Sequence, residues 1–85
     1  MSPQRNLLIM YSTPACHLCE NAQALIVPYL EQLALDIVEV DISKSDALME
    51  SYGIRIPVLK FPEGTEELDW PFTADEFLAF AGANG

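Results

Sequence analysis

Tyr11-Ser12-Thr13-Pro14-Ala15-Cys16-His17-Leu18-Cys19 is the stretch on which the reading of this chain turns. It joins an apolar run, Leu7-Leu8-Ile9-Met10-Tyr11, to a segment with helical periodicity, and it holds both cysteines of the 85-residue sequence. Two thiols spaced C-x-x-C at the start of a helix can close into a small disulfide ring and reopen, so redox exchange is the leading reading. The same spacing supplies half of many metal sites. Two ordinary packed cysteines are the plain alternative.

Working outward, Leu7 to Tyr11 suits a strand buried on both faces. Pro14 pushes Thr13 into an extended conformation and breaks the run. From His17 to Leu33 the apolar residues fall at Leu18, Ala22, Leu25, Ile26, Tyr29, Leu30 and Leu33, the spacing of an amphipathic helix. Pro28 lies inside that helix and is expected to bend or interrupt it, because it lacks the amide hydrogen and crowds the preceding turn. Asp36 to Ile42 is β-branched and reads as a second strand. Ser43 offers an N-cap to a short helix with Asp46 in its first turn, an apolar face of Ala47, Leu48 and Tyr52, and Gly53 as a left-handed stop.

Ile54-Arg55-Ile56-Pro57 then leads into a third strand, Val58 to Phe61. Pro62 to Thr65 has turn chemistry, and Glu66 to Trp70 reads as the hairpin partner. The carboxylates Glu63, Glu66 and Glu67 read as solvated surface. Thr73 and Glu76 form a capping box, with Phe72 and Phe77 at the staple positions around it, and the last helix is expected to stop at Gly82.

The order is β-α-β-α-β-β-α. A long helical crossover makes the first two strands parallel, with a right-handed connection, and a short turn makes the last two antiparallel. The fold class is α/β: a four-stranded mixed sheet flanked by helices, in a single domain over residues 1–85. With 51% hydrophobic residues the chain can bury one modest core. No run approaches the roughly 20 apolar residues of a membrane span, and Leu7 to Tyr11 is shorter than a signal-peptide core. A cytoplasmic monomer with no membrane partner is expected. Thirteen acidic against four basic residues give a net charge of −9, which argues against nucleic acid and toward basic partners. Such a charge also keeps a small domain soluble without any partner.

The stretch Tyr11 to Cys19 after strand one, with Ile56-Pro57-Val58 entering strand three about 40 residues later, resembles the thioredoxin fold and its glutaredoxin-like branch. The chain looks most like small bacterial glutaredoxin-like proteins that keep Trp-Pro-Phe, here Trp70-Pro71-Phe72, near the last helix. The resemblance implies that Cys16 is the attacking thiolate and Cys19 the resolving thiol that expels a mixed disulfide. It implies protein disulfides or glutathione as partners, an unknown reductase as electron source, glutathione as a candidate co-substrate, and no obligatory cofactor or metal. It also implies a cis Pro57 that presents the backbone of Ile56 to an extended substrate segment. Thr13, Pro14, Arg55, Trp70 and Thr73 are the candidate contacts to substrate or glutathione, although Trp70 and Phe72 read first as core. The chain departs from typical glutaredoxins in having His17 where a proline usually follows the first cysteine. It also lacks a basic residue between Asn6 and Cys16 and the Gly-Gly-Asp turn before the last helix. Met10 takes the place of the buried acid of thioredoxins.

A thiol at a helix N-terminus is acidified by unpaired amides and the macrodipole. At a pKa near 8.5 about 3% is thiolate at pH 7; at about 7, half is. A protonated His17 would add to this, and an exposed one pointing away would do little. Two other function classes stand beside exchange. One is a metal-binding module on Cys16, Cys19 and His17, for zinc or an iron–sulfur cluster, with a second chain supplying the remaining ligands. The other is a redox-inert partner-binding domain that keeps only the fold.

Overall fold

In the computed structural model, which describes residues 6–84, the apolar run forms β1 (Asn6–Ser12) at the middle of the sheet. The polar start over residues 1–5 lies outside the described residues. β1 pairs in parallel with β2 (Leu35–Asp41) and antiparallel with β3 (Val58–Lys60), which in turn pairs antiparallel with β4 (Glu67–Asp69). The strand order is β2-β1-β3-β4. Three helices, α1 (His17–Leu33), α2 (Asp46–Tyr52) and α3 (Ala74–Asn84), complete the expected β-α-β-α-β-β-α order, with a single 3-10 turn at Ile42–Lys44 before α2.

The pleat of β1 sorts the side chains into two layers. Leu8 and Met10, with Leu59 of β3, pack against Cys19, Ala22 and Ile26 of α1 and against Phe77, Phe80 and Ala81 of α3. Tyr11 and Val58 face the other way and pack with Ile42, Leu48 and Tyr52, the Tyr11 and Tyr52 rings stacking 4.2 Å apart. α2 has only seven residues, so it covers one end of that second face. β1 is therefore not buried on both faces: Leu7 stays half exposed at the uncovered end.

Several local expectations are corrected. α1 runs without interruption through Pro28. Pro28 and Ala24 are both exposed, so the carbonyl that loses its donor faces water, while Ile26 anchors the helix from beneath. Leu18 points outward, half exposed, and Cys19 takes the core position. The cap of α2 is Ser45, whose hydroxyl accepts from Leu48 N–H at 3.3 Å; Ser43 is instead held inside the 3-10 turn by Asp41. Asp41 ends β2 by accepting from the Ser43 amide and hydroxyl at 2.9 and 2.6 Å, bonds that draw its carboxyl below the usual value.

Gly53 is right-handed, at φ −51°, rather than a left-handed stop. Its missing Cβ matters for closeness: a methyl group there would sit 2.5 Å from the Met49 carbonyl oxygen. The left-handed position is Ala34, at φ 54°, whose amide closes α1 onto Glu31 and Leu30. α3 continues through Gly82 to Asn84, and a side chain at that glycine would meet open space. The capping box does form: Thr73 N–H donates to Glu76 at 3.0 Å and Glu76 N–H to the Thr73 hydroxyl at 3.1 Å. Phe72 and Phe77 meet across it, ring centroids 6.4 Å apart.

Two outcomes are expected in urea denaturation. Phe77→Ala, at a fully buried site, loses about 3–5 kcal/mol, whereas Leu18→Ala changes stability by less than about 0.5. Equal losses would place Leu18 in the core. Ala34→Gly gains about 0.5–1 kcal/mol by relieving the left-handed alanine; a loss would mean that the turn tolerates its Cβ.

Candidate active site

Four residues, Thr13 to Cys16, separate the end of β1 from the start of α1, and their conformation sets the site. Cys16 N–H donates to the Thr13 carbonyl at 3.2 Å, closing a turn with Pro14 and Ala15 at its centre, where proline is preset for the first central position. Cys16 is extended (φ −92°, ψ 103°) and serves as the N-cap of α1. Its Sγ accepts the Cys19 amide at 3.0 Å, the place usually held by a serine or aspartate oxygen. Cys16 and Cys19 are joined as a disulfide with Cα atoms 5.2 Å apart. Cys19 is only 4% exposed, while Cys16 is half-buried at the surface. The bridge therefore offers one of its two sulfurs to solvent.

Beside it lies a cleft of about 220 Å³, bordered by both cysteines, Thr13, Pro14 and the buried Ser12, with Met10 in its wall. Glu20 and Gln23 close one side and Glu39 another. Sequence reasoning missed these three. Glu20 and Gln23 fall at helical spacing after Cys16, a signal present in the sequence. Glu39 enters because β2 pairs in parallel with Met10 opposite Glu39, a register that the sequence does not print.

His17 is 93% exposed, its Nδ1 3.7 Å from the Glu20 carboxylate, so the ring faces along the surface of α1. Pro57 is buried and lies beside the same end of β1, since the next residue, Val58, pairs with Tyr11. The Ile56–Pro57 peptide bond is cis, as is Trp70–Pro71. Trp70 N–H donates to the Pro57 carbonyl at 3.1 Å, and its ring meets Phe72 edge-on at 5.1 Å against the core. Thr73 is occupied with its capping box.

Arg55 is engaged by its own chain. Its Nη2 lies 2.6 Å from Glu67 and 3.0 Å from Asp69, its Nε donates to Asp69 at 3.1 Å, and its guanidinium carbon stands 5.2 Å from the Tyr52 ring centroid. These carboxylates, Asp69 first, hold its pKa above the ordinary arginine value. Tyr52 donates its hydroxyl to Glu67 at 2.6 Å. Glu67 is therefore not solvated surface: the Tyr52 hydroxyl and then Arg55 draw its carboxyl below its usual value, and the same bond raises the Tyr52 phenol.

The pattern that defines the Glutaredoxin-like domain (DUF836) matches residues 7–80. The chain belongs to the glutaredoxin-like family. Among solved structures, protein XcR50 from X. campestris is 40% identical, with a TM-score of 0.73, covering 92% of this chain and 99% of that one. Protein Ne2328 from Nitrosomonas europaea shares 24% identity at a TM-score of 0.76, covering 94% and 95%. A thioredoxin variant from Halobacterium salinarum shares 22% at 0.68, covering 91% and 72%, a likeness of fold. No curated protein matches. The fold of this glutaredoxin-like chain is thus thioredoxin-like, and with its C-x-x-C pair it supports a redox role and an oxidoreductase activity. No helix among the described residues is long and apolar enough to cross a membrane.

Because Glu67 ionises more readily in the folded chain, its contribution is present above about the ordinary carboxylate value of 4.5 and is lost as pH falls through its lower folded value. Glu67→Gln is expected to cost about 1 kcal/mol at neutral pH, discounted for partial exposure, with the gap from the parent closing in acid. Urea titrations across pH measure it; a gap that stays constant would show that the charge plays no part.

Proposed function

We propose that this protein exchanges its Cys16–Cys19 dithiol and disulfide with protein or low-molecular-weight thiols through a mixed disulfide on Cys16. The observation that carries the reading is the unequal burial of the two bridged sulfurs at the N-terminus of α1. In the reduced protein the Cys16 thiolate attacks one sulfur of a substrate disulfide. One S–S bond forms, one breaks, and a substrate thiolate leaves. Cys19, as thiolate, then attacks the Cys16 sulfur, re-forms the internal bridge and releases the second substrate thiolate. Two electrons have passed from the protein to the substrate. A donor dithiol, or two monothiols, reverses the sequence and restores the protein.

The helix supplies part of the chemistry. The unpaired amides of the first turn and the macrodipole favour negative charge on the Cys16 sulfur, the better nucleophile and leaving group. Burial of Cys19 keeps it from competing for external substrates, so attack begins at Cys16. The metal reading has less support from the geometry. Among the described residues no three His, Cys, Asp or Glu groups are placed to hold one metal ion, so a metal would need ligands from a second chain.

In an assay of insulin reduction driven by dithiothreitol, Cys16→Ser is expected to abolish turnover. Cys19→Ser should accumulate a mixed disulfide on Cys16, visible by intact mass. Turnover that survives Cys16→Ser, or an adduct found on Cys19 when Cys16 is absent, would reverse the assigned roles.

A further inference from the structure

We propose that the site selects cationic disulfides over anionic ones, with Glu20 and Glu39 as the residues that set this preference. The inference rests on the exchange reading above and names the substrate class for the same cysteines. Glu20 on α1 and Glu39 on β2 reach the cleft beside the disulfide from different elements, and no lysine or arginine lines it. Both cysteines and both carboxylates border one cleft of about 220 Å³, so a substrate that presents a sulfur to Cys16 brings its own charged groups beside them. At that range a Debye length of about 10 Å at 0.1 M salt leaves much of the interaction unscreened.

Among the described residues, the cations that could offset them do not border the cleft. Lys44 sits in the 3-10 turn before α2, and the Lys60 ammonium donates to the Phe61 carbonyl. Arg55, two residues before Pro57, has its guanidinium taken by Glu67 and Asp69. The ring of His17 lies 3.7 Å from the Glu20 carboxylate. The start of α3 is made less favourable to anions as well. Glu76 occupies the Thr73 amide, the Thr73 hydroxyl occupies the Glu76 amide, and Asp75 and Glu76 add negative charge to the first turn. The net charge of −9 adds a long-range field of the same sign. Among the described residues, the Arg55 guanidinium and the capping-box amides are engaged within the chain, while two carboxylates border the reacting bond.

The test uses three small symmetrical disulfides: cystamine, bis(hydroxyethyl) disulfide and dithiodipropionate, which are cationic, neutral and anionic. The full-length reduced protein is mixed with each at a fixed mildly alkaline pH. Oxidation of the pair is followed, and each rate is divided by the rate of the same disulfide with dithiothreitol. At low salt the normalised cystamine rate should exceed that of dithiodipropionate by about ten-fold or more. High salt and the double variant Glu20→Gln, Glu39→Gln should each shrink that ratio to about two-fold or less. Asp36→Asn with Glu63→Gln removes two charges from the opposite end of the sheet and should preserve most of the ratio. Because the readout is a ratio, a change in thiol nucleophilicity common to all three substrates does not move it.

Equal normalised rates in the parent, or a ratio that the cleft variant leaves intact, would overturn the charge selection while exchange stands. Failure of the neutral disulfide to oxidise the pair would instead remove the exchange reading itself, and the selection with it.

Discussion

β1 is hydrogen-bonded along both edges, to a parallel neighbour on one side and an antiparallel one on the other. Its register is therefore held twice, and its pleat assigns every contact above and below the sheet. A slip of one residue against either neighbour would exchange Leu8 and Met10 with Ile9 and Tyr11. Tyr11 would then meet the α1–α3 layer in place of the Tyr52 ring. The same constraint delivers the chain at Ser12 to one end of the sheet, where the Thr13 to Cys16 turn starts α1 and where Pro57 enters β3. The two sequence segments that carry the resemblance, far apart along the chain, are adjacent because the central strand has one register.

The start of α1 shows what that placement costs. A serine or aspartate would cap the helix better than sulfur, which is a weak acceptor. Cys16 caps it nevertheless, with one amide on its Sγ at 3.0 Å. The helix holds because Cys19, Ala22 and Ile26 are buried against β1, so its first turn is kept in place by packing rather than by its cap. The sulfur is then free to serve chemistry at a position where a better cap would be inert.

What was legible in the sequence follows the range of each signal. The C-x-x-C, the Thr73–Glu76 box and its phenylalanine staple, the Pro62–Thr65 turn and the apolar stripe of α1 are local patterns, and each found its element. Signals that depend on a neighbour failed. Ser43 and Ser45 are both acceptable caps, and the choice was made by Asp41, which holds the earlier serine. Pro28, which by sequence bends or interrupts α1, does not interrupt it, because the carbonyl it orphans faces solvent. Gly82 does not end α3, which continues past it to Asn84 without a left-handed residue there. In the site, Cys16 and Cys19 were plain and Glu20 was within reach of helical spacing. Glu39 required the β1–β2 register, and the fate of Arg55 required β4 to lie beside the loop that carries it.

That last arrangement also explains how an acidic chain tolerates its short edge strand. Glu67 and Asp69 are two apart on β4 and so project to the same side, where like charges would splay a strand of only three residues. Arg55 lies between them and cancels the repulsion, but its side chain is 35% exposed and that of Asp69 47%, so the ion pairs alone contribute little. The better-shielded contact is the Tyr52 hydroxyl on Glu67, at 2.6 Å, and it is the larger cause of the lowered carboxyl. The strand is thus tied to α2 chiefly through tyrosine, whose ring is in turn stacked on Tyr11 of β1. The guanidinium completes the tie, and its charge is consumed in doing so. A residue that the resemblance offers as a candidate contact to substrate or glutathione is converted by its surroundings into a brace for the sheet edge.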